Sequence, residues 1–545
     1  MDGRCRVLVV DDSPSDLHHI ERLLRDGGFD VVTAAGRASA LALLRTEYVH
    51  VAVIDVCLAF GSAENRDGVA LMADMRWLAP TVPVILLHDN PSVDLVREVL
   101  RPTPPARSVF ALPPRGAYDF LLKTDTDLLQ LPQSVWQAFD ALVHANLELE
   151  IIDQEGVLRD LAHKLRFVDL EPPGPEGLAV EMRALMQKLF ADWDMVRIQP
   201  IATDRRGYSR ALVFVALPQQ PGGRGGEVCV VKVAEHTLIE KEVSRHRSRV
   251  HMTVARSARA LEPVVRTRAL GGVVYTFVGL GGGVRDFAQV YRSGGDAAIA
   301  SAIRSLFQST LLPLHGLTGF VRTDPNPRRF LTALLRLDDD ELHAALDALV
   351  AGHSALTRSS ADPRSLRLGL RARLPDPVAF ALGDALPTDY RVATIHGDLH
   401  VHNVLLDERG DTWLIDFANA DEGPLIQDYA TFEVSLLVEM ADESAGWEPF
   451  YEWALLLTAS PGQPLPPLPA RLAALLPLAR AHAAVGVVRE LARRHMEPDA
   501  RAYLICLLYT ALRMVTVKFL TPEKSLYALI LAAAAARALG AAGSE

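Results

Sequence analysis

Residues 394–417 read T-I-H-G-D-L-H-V-H-N-V-L-L-D-E-R-G-D-T-W-L-I-D-F. An apolar approach ends at His396, and a polar loop then carries Asp398 and Asn403. Two short strands are expected next, Val404–Leu406 and Thr412–Ile415, joined by the turn Asp407-Glu408-Arg409-Gly410. A chain with this pattern must double back, which returns Asp416 to the loop that holds Asp398 and Asn403. Two carboxylates and one amide oxygen then share a small volume. Hard oxygen ligands of this kind suit magnesium, whose shell is completed by water and phosphate oxygens. One aspartate is left to take or orient a hydroxyl proton, and these are the parts of phosphoryl transfer from a nucleotide. A rival reading makes His396, His400 and His402, which alternate around Asp398, the imidazole ligands of a zinc hydrolase.

The order H-x-D-x-x-x-x-N followed by D-F resembles the catalytic-loop and metal-loop pair of kinases. With Gly397 the motif is HGD, and it resembles the aminoglycoside phosphotransferase and choline kinase branch. The resemblance implies an α+β bilobal protein kinase-like fold over roughly 195–540, using ATP and Mg2+. It makes Asp398 the catalytic base, Asn403 and Asp416 magnesium ligands, and His396 the residue that orients the loop. Asp428, in Asp428-Tyr429 at a helix start, matches the aspartate that braces that loop in the family.

Upstream, Lys232 sits in the apolar strand C-V-V-K-V, where burial without an anionic partner is costly. In the resemblance this lysine contacts the α- and β-phosphates and pairs with a helix glutamate, Glu242 being favoured and Glu240 left open. Gly207 and Ser209 would bring backbone N–H groups to phosphate. Val278 and Leu280 fall where the family has its hinge to adenine. Strands are expected at Val196–Ile201, Leu212–Leu217 and Val228–Val233, then a hairpin Val264–Arg268/Val273–Val278 with Gly271-Gly272 at its turn. Residues 296–385 read as mostly helical and, by the same resemblance, shape the pocket of a hydroxyl-bearing acceptor.

The first part of the chain carries a second, independent pattern. Apolar strands Arg6–Val10, Val31–Ala34, Val49–Ile54, Val82–Leu87 and Asp119–Leu122 alternate with helical stretches, which implies an α/β doubly wound, five-stranded parallel sheet. Ligands on such sheets sit at the strands' carboxyl ends, and Asp11, Asp12, Asp55 and Lys123 all fall there. This resembles the receiver domain of bacterial response regulators (flavodoxin-like) over residues 4–128. The resemblance implies phosphorylation of Asp55, magnesium held by Asp11, Asp12 and Asp55, and Lys123 pairing with phosphoryl oxygens. Three departures stand out: His88 replaces the hydroxyl residue of the fourth strand, Thr124 replaces a proline, and extra residues occupy 59–67 and 101–115. Phe120 stands at the switch-aromatic position, and His88 could donate to the phosphoryl group in place of the hydroxyl, more strongly when protonated.

The organisation expected is therefore a receiver domain at 1–128, a helical linker at 129–194 that could dimerise the chain, a kinase-like N-lobe at 195–283 and a helical C-lobe at 284–545. A chain of 545 residues is too long for one core. The net charge of −11 argues against nucleic acid or an anionic membrane as partner. Cys5, Cys57, Cys229 and Cys506 form no ligand pair, and no signal peptide or spanning segment is visible, so a cytoplasmic setting is expected. Tyr527–Ala536 reads as a buried helix. The function expected is a two-component protein whose partner histidine kinase or other phosphodonor acts on Asp55, and whose kinase-like domain phosphorylates a small molecule. The alternatives are a non-catalytic phosphorelay adaptor with a nucleotide-binding lobe, or a protein Ser/Thr kinase.

Overall fold

The computed structural model describes residues 4–58, 65–101, 108–110, 112, 116–162, 165, 167, 169–201, 211–220, 225–250, 260–276, 284–316, 320–359, 362, 364–369, 372–383 and 386–542. The chain divides into two compact units. One comprises Met1–Pro200, Ser209–Lys241 and Ala260–Gly279, the other Ile201–Tyr208, Glu242–Arg259 and Leu280–Glu545.

The first unit begins with β1 (Arg6–Val10), α1 (Pro14–Asp26), β2 (Asp30–Ala34), α2 (Arg37–Thr46), β3 (Val51–Asp55), α3 (Asp67–Leu78), β4 (Val84–His88), α4 (Val93–Leu100) and β5 (Asp119–Leu122). The strands are parallel in the order β2-β1-β3-β4-β5. Strands covered by helices on both faces read as unbroken apolar runs, and every residue of β3 is buried. The turn after β1 is set by Ser13, whose side chain caps α1 at the Asp16 N–H, with Pro14 opening the helix.

After a single turn, α5 (Asp125–Leu128), comes α6 (Leu131–Ala138), which runs on as a π-turn over Phe139–Val143 and stops at His144, φ +46°. Leu131, Val135, Ala138, Phe139 and Val143 pack in one buried cluster with Val7, Val9, Val51, Val53, Ile85 and Leu87. The helical spacing of Val135 and Phe139 is that of a helix covering this face of the sheet. After β6 (Glu150–Ile152) and α7 (Val157–Ala162), helix α8 (Pro175–Leu189) follows.

These join β7 (Met195–Pro200), β8 (Leu212–Gln219), β9 (Cys229–Glu235), α9 (His236–Arg245), β10 (Ala260–Arg266) and β11 (Leu270–Thr276). The six-stranded sheet has the order β10-β11-β9-β8-β7-β6, with only the β6–β7 pair parallel. Gly271 and Gly272 were expected at a turn, yet both lie inside β11. A Cβ on Gly271 would come within 2.9 Å of the His236 Cα, and one on Gly272 within 2.9 Å of Leu189 Cδ1. The glycines let helices approach the strand closely, a packing role that reads the same as a turn in sequence. Within this unit Phe110, from the insertion between α4 and β5, is buried beside His236 at 6.4 Å edge-on, with the Arg266 guanidinium 5.6 Å from its ring centre.

The second unit runs β12 (Arg285–Asp286), α10 (Phe287–Ser293), α11 (Asp296–Ser305), α12 (Leu312–His315), β13 (Val321–Asp324), α13 (Arg328–Leu335), α14 (Asp339–Gly352), β14 (Leu356–Arg358), β15 (Ser365–Leu368), β16 (Ala372–Pro375) and α15 (Pro377–Leu382). It continues with β17 (Thr388–Ile395), β18 (Val404–Leu406), β19 (Thr412–Leu414), β20 (Asp421–Pro424), α16 (Ile426–Val438), α17 (Trp447–Thr458), α18 (Ala470–Ala473), α19 (Leu476–Ala492), α20 (Arg501–Val515) and α21 (Pro522–Ala542). Three small sheets, β12-β18-β19, β13-β17-β20 and β14-β15-β16, frame the 394–424 segment and its flank. Residues 296–385 are thus less helical than expected, because β13 to β16 are too short for their alternation to stand out against leucine-rich helices.

Helix α16 is the centre of this unit, with all thirteen residues buried. Its Glu433 is held by Arg489 at 2.8 and 2.6 Å and by the Tyr503 hydroxyl at 2.5 Å, so the buried charge is paired and hydrogen-bonded. Leu526–Ala536 of α21 is buried, and no described helix is long and apolar enough to cross a membrane.

Candidate functional site

In the first unit β1, β3 and β5 all end on one side of the sheet, and their carboxyl ends deliver the four expected residues to one pocket. Lys123 Nζ lies 2.9 Å from Asp11 Oδ2, 3.1 Å from Asp55 Oδ2 and 3.4 Å from Asp16 Oδ2. Carboxylate oxygens of Asp11, Asp12 and Asp55 all lie within 4.8 Å of one another. Burial pushes the Asp55 carboxyl up to about 6, with the Lys123 charge opposing and Asp11 reinforcing the rise. Burial likewise raises Asp11. Burial works against the Lys123 charge, but its hydrogen bond to Asp11 and the charges of Asp55 and Asp11 outweigh it and strengthen the ammonium.

One lysine therefore faces three carboxylates. Asp12 Oδ2 and Asp55 Oδ1 are buried with no hydrogen-bond partner among the described residues. Orphaned hard oxygens in an excess of negative charge fit a divalent cation such as magnesium. Gly68, which the sequence reading passed over, shapes the floor: a Cβ there would sit 1.9 Å from the Asp55 carbonyl oxygen. No local signal marks it, since the close approach of α3 to the end of β3 is a tertiary fact.

In the second unit the strand β17 delivers the chain to His396, and the β18–β19 hairpin returns it to Asp416, as the spacing predicts. The bend needs two left-handed residues, Gly397 at φ +77° and Asp416 at φ +70°. Asp428, fully buried on α16, accepts the N–H of His396 at 2.9 Å and of Gly397 at 3.0 Å. His396 donates its Nε2–H to the Ile415 carbonyl at 3.0 Å, tying the loop to the hairpin. The Asn403 side-chain N–H donates to the Asp398 carbonyl at 2.8 Å, leaving its amide oxygen without a protein partner among the described residues. Burial, then the neighbouring Asp416 charge, pushes half-buried Asp398 up to about 6, with His396, Arg513 and Arg336 pulling the other way. Asp398, the neighbouring Asp416 carboxylate and a spare amide oxygen again suit a hard cation.

Asp428 itself goes in the other direction. Burial disfavours its charge, yet hydrogen bonding and charge from His315 and the interactions with His396 hold it below the usual carboxylate range. His315 Nε2 donates to Asp428 Oδ2 at 3.0 Å, a partner with no signal in the sequence. The zinc reading does not fit these contacts. His402 Nδ1 is 2.8 Å from Asp286 Oδ2 and its Nε2 3.5 Å from Glu439 Oε2, while His396 Nε2 is committed to Ile415. Among the described residues the three carboxylates of the first unit are the group placed to share a metal. Asp286 was legible as a helix cap: with Gln289 it forms a capping box opening α10.

Lys232 is buried midway along β9, and Glu242 is buried on α9. Gly207, Ser209, Val278 and Leu280 lie outside the described residues, as do residues 59–64 and much of 101–115.

Residues 7–103 match the family model described as response regulator receiver domain. The N-terminal domain is a response regulator receiver domain. The chain is 30% identical over 129 residues to the transcriptional regulatory protein ZraR of Salmonella typhimurium, covering 24% of this chain and 25% of that one. It is 37% identical over 89 residues to the transcriptional regulatory protein PrrA of Mycobacterium tuberculosis, covering 16% and 36%. The chain thus spans about a quarter to a third of the curated relatives it matches. The solved receiver domain of NtrX from Brucella abortus is 27% identical, covering 25% of this chain and 98% of that one, with a TM-score of 0.20. Residues 347–516 match a second family model, ternary complex associated domain 9.

A receiver domain implies a phosphodonor such as a histidine kinase. In this receiver His88 closes β4, and burial lowers its proton affinity, with Lys123 adding to the effect and Asp89 opposing it. The direction of that shift disfavours the charged form of the ring, the form expected to donate more strongly to the phosphoryl group.

Proposed function

We propose that this is a two-component signalling protein in which Asp55 receives a phosphoryl group and a kinase-like C-terminal domain transfers the γ-phosphoryl group of ATP to a hydroxyl. In the receiver, Asp11, Asp12 and Asp55 would hold magnesium, which neutralises the charge of the incoming phosphoryl group. Lys123, now bridging Asp11 and Asp55, would move its ammonium to a phosphoryl oxygen. The lysine-to-carboxylate distances of 2.9 and 3.1 Å, beside two orphaned carboxylate oxygens, support this half of the reading.

The second half rests on the loop braced by Asp428. In it, Asp398 takes the proton of the acceptor hydroxyl, for which a carboxyl near 6 is ionised at neutral pH yet a usable base. Asn403 and Asp416 would hold magnesium on the nucleotide phosphates. Asp428 and His396 position the loop through its backbone. Phosphoryl transfer asks mainly for such positioning and charge. For coupling, Phe110 offers a route beside the 130–175 helices: it carries the receiver insertion to the first residue of α9, the helix that follows the strand of Lys232.

Nucleotide turnover with and without acetyl phosphate, in wild type, Asp55→Ala, Asp398→Asn and Phe110→Ala, tests the reading. The expected result is turnover abolished by Asp398→Asn, and an acetyl phosphate response lost in Asp55→Ala and blunted in Phe110→Ala. Turnover unchanged in Asp398→Asn would refute the catalytic half. A second reading has its own support in the words ternary complex of the model matching 347–516. In it the C-terminal domain is a non-catalytic adaptor that associates with partners. Asp398→Asn would then leave the biological output intact while Asp428→Ala, which frees the loop, would not.

A further inference from the structure

The first unit holds a cavity of about 1090 Å³ at the amino edge of the receiver sheet, the edge opposite Asp55. Arg6, which opens β1, and Tyr48, which precedes β3, border it from the receiver. His236, the first residue of α9, and Arg266 and Arg268, at the end of β10 and just beyond it, border it from the six-stranded sheet.

Arg266 is the residue whose charge the chain does not balance. It is only 9% exposed. Its Nε donates to the Thr267 carbonyl at 3.2 Å and its Nη2 to the Arg268 carbonyl at 3.3 Å, while the Phe110 ring centre lies 5.6 Å from the guanidinium. Carbonyl dipoles and a ring face offset part of the charge but supply no counter-charge. Among the described residues Arg266 makes no ion pair, and its Nη1 has no hydrogen-bond partner. Glu181 is already spent. Its Oε1 takes Arg268 at 3.1 Å, and its Oε2 takes the Thr267 hydroxyl at 2.7 Å and the Ala269 N–H at 2.8 Å. Lys188 adds to the excess: it is 7% exposed, and its Nζ reaches the Arg266 carbonyl oxygen at 3.4 Å with no carboxylate beside it among the described residues. Burial pushes Arg266 down to about 10, against the charges of Glu240 and Glu181. His236 meets Arg266 on the same Phe110 ring, edge-on at 6.4 Å, and its Nδ1 is buried with no partner among the described residues.

Three glutamates also border the cavity. Glu47 is paired with Arg6 at 3.0 Å, and Glu171 and Glu176 are exposed. Solvent screens the exposed pair, so Arg266 sets the sign of the buried end. A buried arginine without a carboxylate is costly, and an anion in the cavity would remove that cost.

We propose that this cavity binds a small phosphate-bearing anion, with the Arg266 guanidinium as its main contact. The planar fork of arginine matches phosphate oxygens, and the volume admits a phosphate monoester of nucleotide size. Since Arg6 and Tyr48 belong to the receiver and Arg266 to the six-stranded sheet, the anion would tie these two parts of the unit together. The site is independent of the catalytic reading of the second unit.

The test is calorimetric titration of the full chain, without magnesium, with inorganic phosphate and with AMP. Two variants remove the charge: Arg266→Met, and Arg266→Gln, whose amide can still donate to a neighbouring carbonyl. Each is expected to weaken binding about tenfold or more. Arg304→Gln, a surface control paired with Glu490, should leave it unchanged. Thermal unfolding gives a second readout: saturating phosphate should raise the midpoint of wild type and of neither Arg266 variant. Tighter binding of AMP than of phosphate assigns a nucleotide to the cavity, and equal binding assigns the phosphate group alone. No binding of either probe to wild type, or undiminished binding in whichever Arg266 variant folds, overturns the inference.

Discussion

Gly397→Ala places the sharpest strain on the braced loop, and its cost follows from the coordinates. Gly397 has φ +77°, and a Cβ there would lie 2.4 Å from the Asn419 carbonyl oxygen and 3.2 Å from Leu334 Cδ1. Ordinary contact begins at 3.4 Å, so the Asn419 backbone would have to withdraw by 3.4 − 2.4, about 1.0 Å. The loop has no slack to share that movement, because Asp428 holds the Gly397 N–H at 3.0 Å and Asn419 also receives Arg336. The left-handed backbone costs alanine about 1–2 kcal/mol, and overpacking adds about 1–3 kcal/mol. The variant should therefore lose about 2–5 kcal/mol of local stability. Hydrogen exchange read by mass spectrometry resolves where that falls: peptides within 396–428 should exchange faster, and peptides within 4–143 should not change. Gly397→Asn separates the two causes, since asparagine tolerates φ > 0 but keeps the Cβ. It should recover only the smaller part. Full recovery in Gly397→Asn would remove the Asn419 contact from the explanation, and unchanged exchange in Gly397→Ala would refute it entirely.

The receiver pocket carries a pH signature. Asp55 has its carboxyl raised from 3.8 to about 6, so it takes up a proton as pH falls through 6. Magnesium affinity should weaken below pH 6 in a calorimetric titration, while the metal-free fold gains stability from this group between pH 6 and pH 3.8, because the folded state then binds the extra proton. Lys123→Met leaves Asp11 and Asp55 buried together without their cation. Thermal unfolding of the metal-free variant should show a loss of about 3–5 kcal/mol, recovered in part by saturating magnesium. In the second unit Arg489→Met strands Glu433 in the core, a loss of about 3–5 kcal/mol in chemical denaturation, and adding Glu433→Leu should restore most of it.

These perturbations also mark what the sequence could and could not reveal. The receiver's site was legible because its chemistry sits at strand ends. Each of Asp11, Asp55 and Lys123 follows an apolar run, and a parallel sheet has one carboxyl edge on which such residues must meet. The limit of the domain was not legible in the same way. The stripe of α6 satisfies the pattern of a packing helix and that of a dimerising one equally, and only contact with Val7, Val53 and Ile85 decides between them. Gly68, Gly271 and Gly272 were unreadable for a related reason: each answers to an element distant in sequence, and glycine carries no side chain to hint at it.

The 396–428 loop divides along the same line. Its hairpin could be read because every residue that forms it is contiguous, and the return of Asp416 follows from strand length and turn alone. What holds the loop rigid comes from elsewhere. His315 arrives from α12 and Asp428 from α16, and together they give the loop backbone a buried carboxylate kept ionised in the core. A buried carboxylate is stable only when its oxygens are satisfied. Asp428 spends both of them on the loop N–H groups and on His315, so displacing the loop would expose an uncompensated charge. That coupling makes the geometry around Asp398 a property of the whole helical core rather than of the motif. The same spacing could therefore occur in a chain without the brace, and would not by itself fix the backbone around Asp398.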